Sequence, residues 1–502
     1  MTETADTPGW RRLDSRMLLV QPVTELARAL PVLIPLVLFG TRNGGGAPWG
    51  LLATAVVAVR ATLRWATTTY RITADAVQVR SGLLRRTSRT VPRDRVRTVD
   101  VTAHPLHRAL GLARVAIGTG RSDRREDEGV RLDGLTSGQA AELREQLLVG
   151  RTSQPAHPSP GEPAGVVVAR LDPSWVRFAP FTLSGVVTIL ALAGLVWNAI
   201  NDSHVDLTRL RPLTGLGHRL AAAPLGLVVG AVAAALLAVV SLAAVAGYLL
   251  AYWGHRLERA PDGTLHVTRG LLTRRATTVE GRRLRGAELS QPLLLRGVGG
   301  ARTLAVATGL RVGRGADRGG TILLPPAPLA VARAVAAQVL AAAEPPYAPL
   351  RRHGRRATRR RYSRAGAVAV LVLVAVVGLG RAADSPAWVS VAVGAGVVAV
   401  ALLLAADRAR GLGHTLVDGV LVSSAGAIDR RRVMLEGGGI IGWNWRASWF
   451  QRRAGLVTLT ATTAAGRQAY HVLDVPVSTS ATLAAEVLPD LVEPFLAGEA
   501  LP

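Results

Sequence analysis

The sequence predicts a multi-domain membrane protein with about six transmembrane helices in three hairpins, each hairpin followed by a small β-rich domain that a C-terminal helix closes. Three observations carry that expectation. First, one soluble pattern recurs at constant spacing. Gly82-Leu-Leu-Arg-Arg86 answers to Gly270-Leu-Leu-Thr-Arg274, the stretch Leu106 to Arg114 answers to Leu294 to Arg302, and a third copy runs from Phe450 to Thr458. Arg108, Arg296 and Arg452 are equivalent, as are Gly111, Gly299 and Gly455, with offsets of 188 and 344 residues from the first copy. A repeat held over several anchors fixes the architecture before any local reading. Second, 49% of the 502 residues are hydrophobic, the mean hydropathy is +0.28, and the apolar residues gather in runs. A spanning helix needs about 20 mostly apolar residues. Third, short alternating segments at turn-like spacing fill the stretches between the runs, the pattern of a small sandwich or barrel.

The spans run approximately over 26–39, 48–65, 179–200, 221–253, 365–380 and 387–406. The first and fifth are short for a crossing. The polar first 25 residues lack the apolar core and small-residue cleavage site of a signal peptide, so the spans are expected to be retained. The links inside the hairpins hold only Arg42, Arg209, Arg211, Arg219 and Arg381 of the 60 basic residues, while the outer flanks are dense in arginine. The positive-inside rule then puts both termini and all three β-rich domains on the cytoplasmic side of the membrane. The expected boundaries are a tail and first hairpin over 1–65, a domain over 66–150, a linker over 151–178, a hairpin over 179–253, a domain over 254–345, an Arg-rich linker over 346–364, a hairpin over 365–406 and a domain over 407–502.

In the first domain, 68–73, 77–79, 85–91, 96–101, 114–119 and 130–132 read as strands and 122–129 as a solvated hairpin tip. Thr136 and Gln139 have the spacing of a capping box, and Ala140, Leu143 and Leu147 follow at helical period. The closing helices of the other two domains are expected at 328–343 and 480–496.

The Tyr70–Thr73 strand after a span, the Gly82–Arg86 turn, the Val91–Val96 connection and the Leu106–Gly111 segment together resemble the bacterial pleckstrin-homology family of membrane proteins, the YdbT-like group. The resemblance implies that each β-rich domain is PH-like and that a membrane hairpin precedes it. It also implies a role in envelope stress or antimicrobial resistance. The third copy departs from the pattern. It reads Gly426-Ala-Ile-Asp-Arg430 at the turn and adds Gly437-Gly-Gly439 and the cluster Trp443, Trp445 and Trp449. The alternation of Trp443 and Trp445 suits a strand that faces the domain core or the membrane interface.

No enzyme is legible. The chain has no cysteine and no lysine, which removes thiolate, disulfide and Schiff-base chemistry. His104 and His107 have no partner set for a metal, and the glycine triplets 44–46 and 437–439 lack the lysine of a phosphate loop. Asp202, His204 and Asp206 make at most a weak ion site in an outer loop. No cofactor and no catalytic residue is expected. The strongest polar pattern is arginine: Arg85, Arg86, Arg89, Arg93, Arg95 and Arg97 in the first domain, Arg274, Arg275, Arg282, Arg283 and Arg285 in the second, and Arg430, Arg431 and Arg432 in the third. Of these, Arg85, Arg86, Arg93, Arg95, Arg97, Arg274, Arg275, Arg282, Arg283, Arg430, Arg431 and Arg432 are the candidate lipid- or partner-binding residues. Juxtamembrane basic clusters gain about 1 kcal/mol per residue from anionic lipid. The structural alternative is a solubilising face that also enforces topology. The expected partners are the anionic inner leaflet and a protein partner or second copy. A net charge of +26 also raises nucleic acid, which is not expected because the basic clusters of the first two domains lack aromatic platforms. The functional expectation is a non-enzymatic scaffold or sensor. A lipid or small-molecule transporter is the alternative, weakened by the near-absence of charge in the spans.

Overall fold

The computed structural model describes residues 10–18, 65–73, 75–82, 87–93, 98–103, 105–118, 130–136, 138–140, 165–182, 225–308, 322–382 and 386–490, with isolated residues between these. They fall into two compact units: Met1–Val167, Trp253–Arg283 and Thr308–Arg311 in one, and Val168–Tyr252, Leu284–Ala307 and Val312–Pro502 in the other. The second sequence repeat is thus divided, its first three strands in one unit and its last three in the other.

In the first unit, β1 (Arg11–Arg12), β2 (Thr69–Ile72), β3 (Ala76–Ser81) and β4 (Thr87–Pro92) form an antiparallel sheet in that order. The N-terminal segment, read from sequence as a polar tail, adds its own strand through Arg11 opposite Tyr70 and buries Leu13 and Met17. The second half of the repeat is β5 (Thr98–Ala103), the short helix α1 (Pro105–Ala109), β6 (Leu112–Gly118) and β7 (Val130–Thr136). Tyr70, Val77, Val115, Ile117, Leu132 and Leu135 make its core. The expected capping box is present: Gln139 N donates to Thr136 Oγ1 (3.2 Å) and Thr136 N donates to Gln139 Oε1 (3.1 Å). The expected hairpin tip at 122–129 lies outside the described residues.

After β8 (Val166–Arg170), the first unit takes up the chain again with β9 (Arg256–Arg259), β10 (Leu265–Arg269) and β11 (Arg274–Val279). These three continue the sheet of the first repeat in the order β7-β6-β5-β11-β10-β9. The alternation in β10, with Leu265 and Val267 buried and His266 and Thr268 half-buried, is the period-2 pattern of a strand with one core face.

The second unit begins at β8 and a 3-10 turn at Pro173–Phe181, where Asp172 accepts from Ser174 N at 2.8 Å. Residues 179–181, read from sequence as the start of a span, belong to this turn, and Phe178 is wholly buried. Helix α2 (Leu225–Tyr252) covers the fourth expected span, and its end is tied down by Tyr248 Oη donating to Pro326 O (2.9 Å). Next come β12 (Leu284–Pro292), α3 (Leu293–Gly297), β13 (Gly300–Ala307), β14 (Ile322–Pro328) and α4 (Leu329–Leu340). Helix α4 buries Ala332, Val335, Ala336 and Val339, an i, i+3, i+4, i+7 stripe. Helices α5 (Gly354–Ala382) and α6 (Ala387–Arg410) pair as a hairpin. The expected Arg-rich linker is therefore helical from Gly354 onward.

The third repeat is β15 (Gly413–Val417), β16 (Val420–Ala425), β17 (Asp429–Glu436), β18 (Gly442–Arg446), α7 (Trp449–Arg453), β19 (Leu456–Thr462), β20 (Ala469–Pro476) and α8 (Val477–Val487). Its closing helix starts three residues earlier than expected, directly after Pro476. The strand order is β14-β13-β12-β17-β16-β15 in one sheet and β18-β19-β20 in the other.

Among the described residues, α5 and α6 are the two helices long and apolar enough to cross a membrane. Val370, Leu371, Val374, Leu379, Val391 and Leu403 on them are all more than half exposed, so they are not core helices of a soluble domain. The sequence predicts six spans; the described residues contain two such helices, not six. The first and second expected spans and residues 183–200 of the third lie outside the described residues.

One set of aligned glycines has a backbone cause. Gly82, Gly270 and Gly426 have φ of 111°, 107° and 112° at the turn between the second and third strands of each repeat. A Cβ at Gly270 would strike Thr273 O, and one at Gly426 would strike Asp429 O. Only glycine fits there.

Candidate functional site

The three repeats interlock rather than stand as separate beads. The fourth strand of each repeat pairs with the third strand of the next: β5 with β11, and β12 with β17. Each junction carries an arginine from the short helix. Arg108 Nη1 donates to Leu271 O (2.6 Å) at the first, and Arg296 Nη1 donates to the equivalent Ala427 O (3.3 Å) at the second. The repeated arginine seen in the sequence is thus a clasp on the neighbouring repeat's turn.

A cavity of about 810 Å³ opens at the first junction, where the chain leaves α2. Trp253, Leu271, Arg108, Arg269, Arg274 and Arg275 line it, and among the described residues no acidic one does. Two candidates from sequence, Arg274 and Arg275, are therefore brought together with two that the sequence reading did not assign to a site. Leu271 and Leu272 at its turn are exposed. An exposed apolar turn thus stands beside a lining of guanidinium groups.

A second cavity, of about 650 Å³, lies between α5 and α6. Val368, Val372, Val393, Val400 and Leu404 form its walls, and Arg364, Arg408 and Ile428 stand at one end. Ile428 belongs to the turn equivalent to Leu271–Leu272. The two cavities therefore share a plan: the end of an apolar helix, the exposed turn of the repeat, and arginine. Arg364 was visible in the sequence only as part of a charge run, and Arg408 as nothing in particular. The signal that would have found them is their place one turn beyond an apolar stretch.

The other candidates are spent differently. Arg282 and Arg283 both pair with Glu280, at 2.8 and 3.0 Å, and Arg283 is buried. Arg430 Nη2 holds Asp407 Oδ1 at 2.7 Å. Arg431 bridges Asp429 Oδ2 (2.7 Å) and Glu288 Oε1 (3.2 Å). Arg432 donates to Pro345 O (2.9 Å) and Ala348 O (2.5 Å), and burial, with Arg333 near by, lowers its pKa to about 10. These three hold the second junction and do not face a ligand. Arg93 is half-buried at the end of β4. Arg85, Arg86, Arg95 and Arg97 lie outside the described residues.

Glu288 is buried at that second junction, where Arg431 and Arg467 Nη2 (2.9 Å) reach it. Burial outweighs the pull of Arg431 and lifts its carboxyl to about 7. His107, expected in a polar loop, is buried in α1. Trp443 packs against the third repeat's core, and Trp445 Nε1 donates to Ser480 Oγ at 3.2 Å. Trp449 and Phe450 are exposed on α7. Among the described residues no group of three His, Cys, Asp or Glu side chains is placed to hold a metal. Asp202, His204 and Asp206 lie outside them.

The family model described as Bacterial PH domain matches residues 26–150, 213–343 and 368–490. The chain belongs to the bacterial PH domain family. Its three matches coincide with the three repeats; the first and third take in all or nearly all of an expected hairpin as well as the β-rich part, whereas the second starts at residue 213, after the expected span over 179–200. The bacterial PH domains of this chain are built of two small sheets and a closing helix, and a fourth-to-third-strand pairing joins them. No curated protein and no solved structure matches the chain.

Proposed function

We propose that this chain is a non-enzymatic integral protein of a bacterial cytoplasmic membrane, of the YdbT-like kind, that holds three PH-like domains against the inner leaflet as a scaffold or sensor in envelope protection. The observation that carries this reading is the arginine-lined cavity beside the exit from α2, which has no acidic lining among the described residues and exposed leucines at its turn. An anionic phosphate headgroup is the ligand that a cavity lined by four arginines favours, although one donor of Arg108 is held by Leu271 O. The same plan recurs at α5 and α6, where an apolar groove ends in Arg364 and Arg408. An acyl chain fits that groove, and a polar solute does not. The positive-inside rule sets these arginines on the cytoplasmic side. Lipid engagement by the chain as a whole, rather than catalysis or transport, is the activity inferred.

The test uses the full chain, because a fragment of residues 254–345 would lose both strand junctions. The protein is placed in nanodiscs of phosphatidylcholine with or without phosphatidylglycerol, and its thermal midpoint is followed at low and high salt. Anionic lipid should raise the midpoint, since a ligand that binds only the native state stabilises it. High salt should reduce the gain, and Arg274→Gln with Arg275→Gln should remove most of it. Equal midpoints in the two lipids would overturn the reading.

A further inference from the structure

The two strand junctions within the chain are the same junction made twice. Arg275 stands opposite Thr102 at the first, and Arg431 opposite Ser290 at the second. With offsets of 188 and 344, Arg275 and Arg431 are one repeat position, and Thr102 and Ser290 are another. Every other pair at the first junction has its counterpart at the second: Arg274 with Ala103 matches Arg430 with Gln291, and Thr277 with Asp100 matches Val433 with Glu288. A one-residue slip would turn each side chain to the opposite face, so identical register at two junctions marks a specified interface.

A series of three such repeats has one unused surface at each end. The third strand of the first repeat is β4, and among the described residues no strand pairs with its outer edge. The fourth strand of the third repeat is β18, which among the described residues pairs with β19 alone. Burial follows pairing. β12, flanked on both sides, has seven of nine residues buried, whereas β18 has none buried and its last three exposed. β4 begins with two exposed residues and buries Val91 alone. The clasp is left over as well: Arg452, equivalent to Arg108 and Arg296, is exposed, and among the described residues its side chain makes no hydrogen bond.

We propose that β18 of one copy of this chain pairs with β4 of a second copy, antiparallel and in the register of the two internal junctions. That register sets Arg446 opposite Thr87, Trp445 opposite Ser88 and Trp443 opposite Thr90 of the partner copy. Open strand edges are sites of strand addition, and the occupant with matching geometry is the same strand type that already fills this place twice within the chain. The contact is heterologous, so copies join head to tail and form a ring or an open row according to the rotation between them. It does not depend on the lipid reading above.

Because the natural chain has no cysteine, an engineered pair reports alone. Thr87→Cys and Arg446→Cys change two exposed residues, and facing residues of an antiparallel pair lie within disulfide reach. The two single variants, tagged differently, are co-expressed and their membranes treated with a mild oxidant. The expected result is a mixed dimer on a non-reducing gel, at least fivefold above Ser88→Cys with Arg446→Cys, which is one residue out of register. The double variant in one chain should give a ladder of oligomers, and Arg452→Ala should weaken it. No excess over the slipped pair would overturn the proposal, as would a double variant that cross-links only within single chains. Solubility and a normal thermal midpoint of each reduced variant show that it has folded.

Discussion

Asp407 is the point at which the α5–α6 hairpin is fastened to the sheet, and its replacement by asparagine tests that fastening. The carboxylate sits in the last turn of α6, where a negative charge opposes the helix dipole by about 0.3–1 kcal/mol. Two arginines compensate: Arg296 Nη2 lies 2.7 Å from Oδ2, and Arg430 Nη2 lies 2.7 Å from Oδ1. One comes from α3 of the second repeat and the other from β17 of the third, so a single side chain joins helix, short helix and strand. The three side chains are between 17% and 24% exposed, shielded enough to count and wet enough to stay below the fully buried limit. A hydrogen bond to a charged group contributes about 1.5–3 kcal/mol. In Asp407→Asn one such bond is lost, the other weakens, and two guanidinium groups face each other without a counter-charge. Relief at the helix end returns a few tenths. The net expected loss is about 2–4 kcal/mol in local stability. Hydrogen exchange in nanodiscs reads it directly, because Leu293 N donates to Ile428 O (2.7 Å) across the same junction. A loss of about 2.8 kcal/mol speeds exchange about a hundredfold where exchange reports the opening equilibrium. Arg296→Gln with Asp407→Asn should cost less than the sum of the two singles. A change below about threefold in Asp407→Asn, or simple additivity of the pair, would refute the reasoning.

Other outcomes follow from the same geometry. His353 Nδ1 meets Leu473 O at 2.8 Å and its Nε2 meets His414 Nδ1 at 2.8 Å, a contact between the two rings that fails once both are protonated. Burial, then His353 and Arg351, push His414 down to about 4, so the stability it contributes is present above the unfolded value of about 6.5 and is lost as pH falls toward 4; thermal melts across that window should show the loss, reduced in His414→Gln. Glu288 has the opposite sign, since burial lifts it to about 7: its contribution is present below about 4.5 and fades as pH rises through 7. The melting point of Glu288→Gln should therefore improve relative to the natural protein between pH 5 and pH 8.5, and a constant difference would contradict the burial argument. Gly426→Ala, which drives a Cβ into Asp429 O at φ 112°, should destabilise the third repeat by about 2 kcal/mol or more. Gly366→Ala in open space on α5 should cost nothing, and equal melting points for the two would dispose of the strain account.

The site was partly legible in the sequence. Arg274 and Arg275 were marked by their density beside a span, and they do line a cavity. Arg430, Arg431 and Arg432 carried the same mark, yet their donors are taken up by the carboxylates of Asp407, Asp429 and Glu288 and by three backbone carbonyls. Charge density counts donors; it does not say whether an acceptor from 23 or 143 residues away will reach them. Arg269 escaped notice for the converse reason, and Arg108 was marked only as a repeat anchor, since neither is tied to a cavity until the strands bring it there.

The sequence by itself determined the number of repeats, their offset and the succession of strands along the first, because those rest on local physics: alternating residues, caps such as Thr136 with Gln139, and turns where φ near 110° admits only glycine. It also marked the apolar stretches that become α5 and α6, since their length and apolarity are legible from composition alone. Only the tertiary structure decided that the repeats share their sheets. Backbone hydrogen bonds between β5 and β11 or between β12 and β17 carry no side-chain code. An edge strand accepts any partner whose register and twist agree. Which partner it meets is fixed by the packing of everything else around it, and that information is not held in any one stretch of chain.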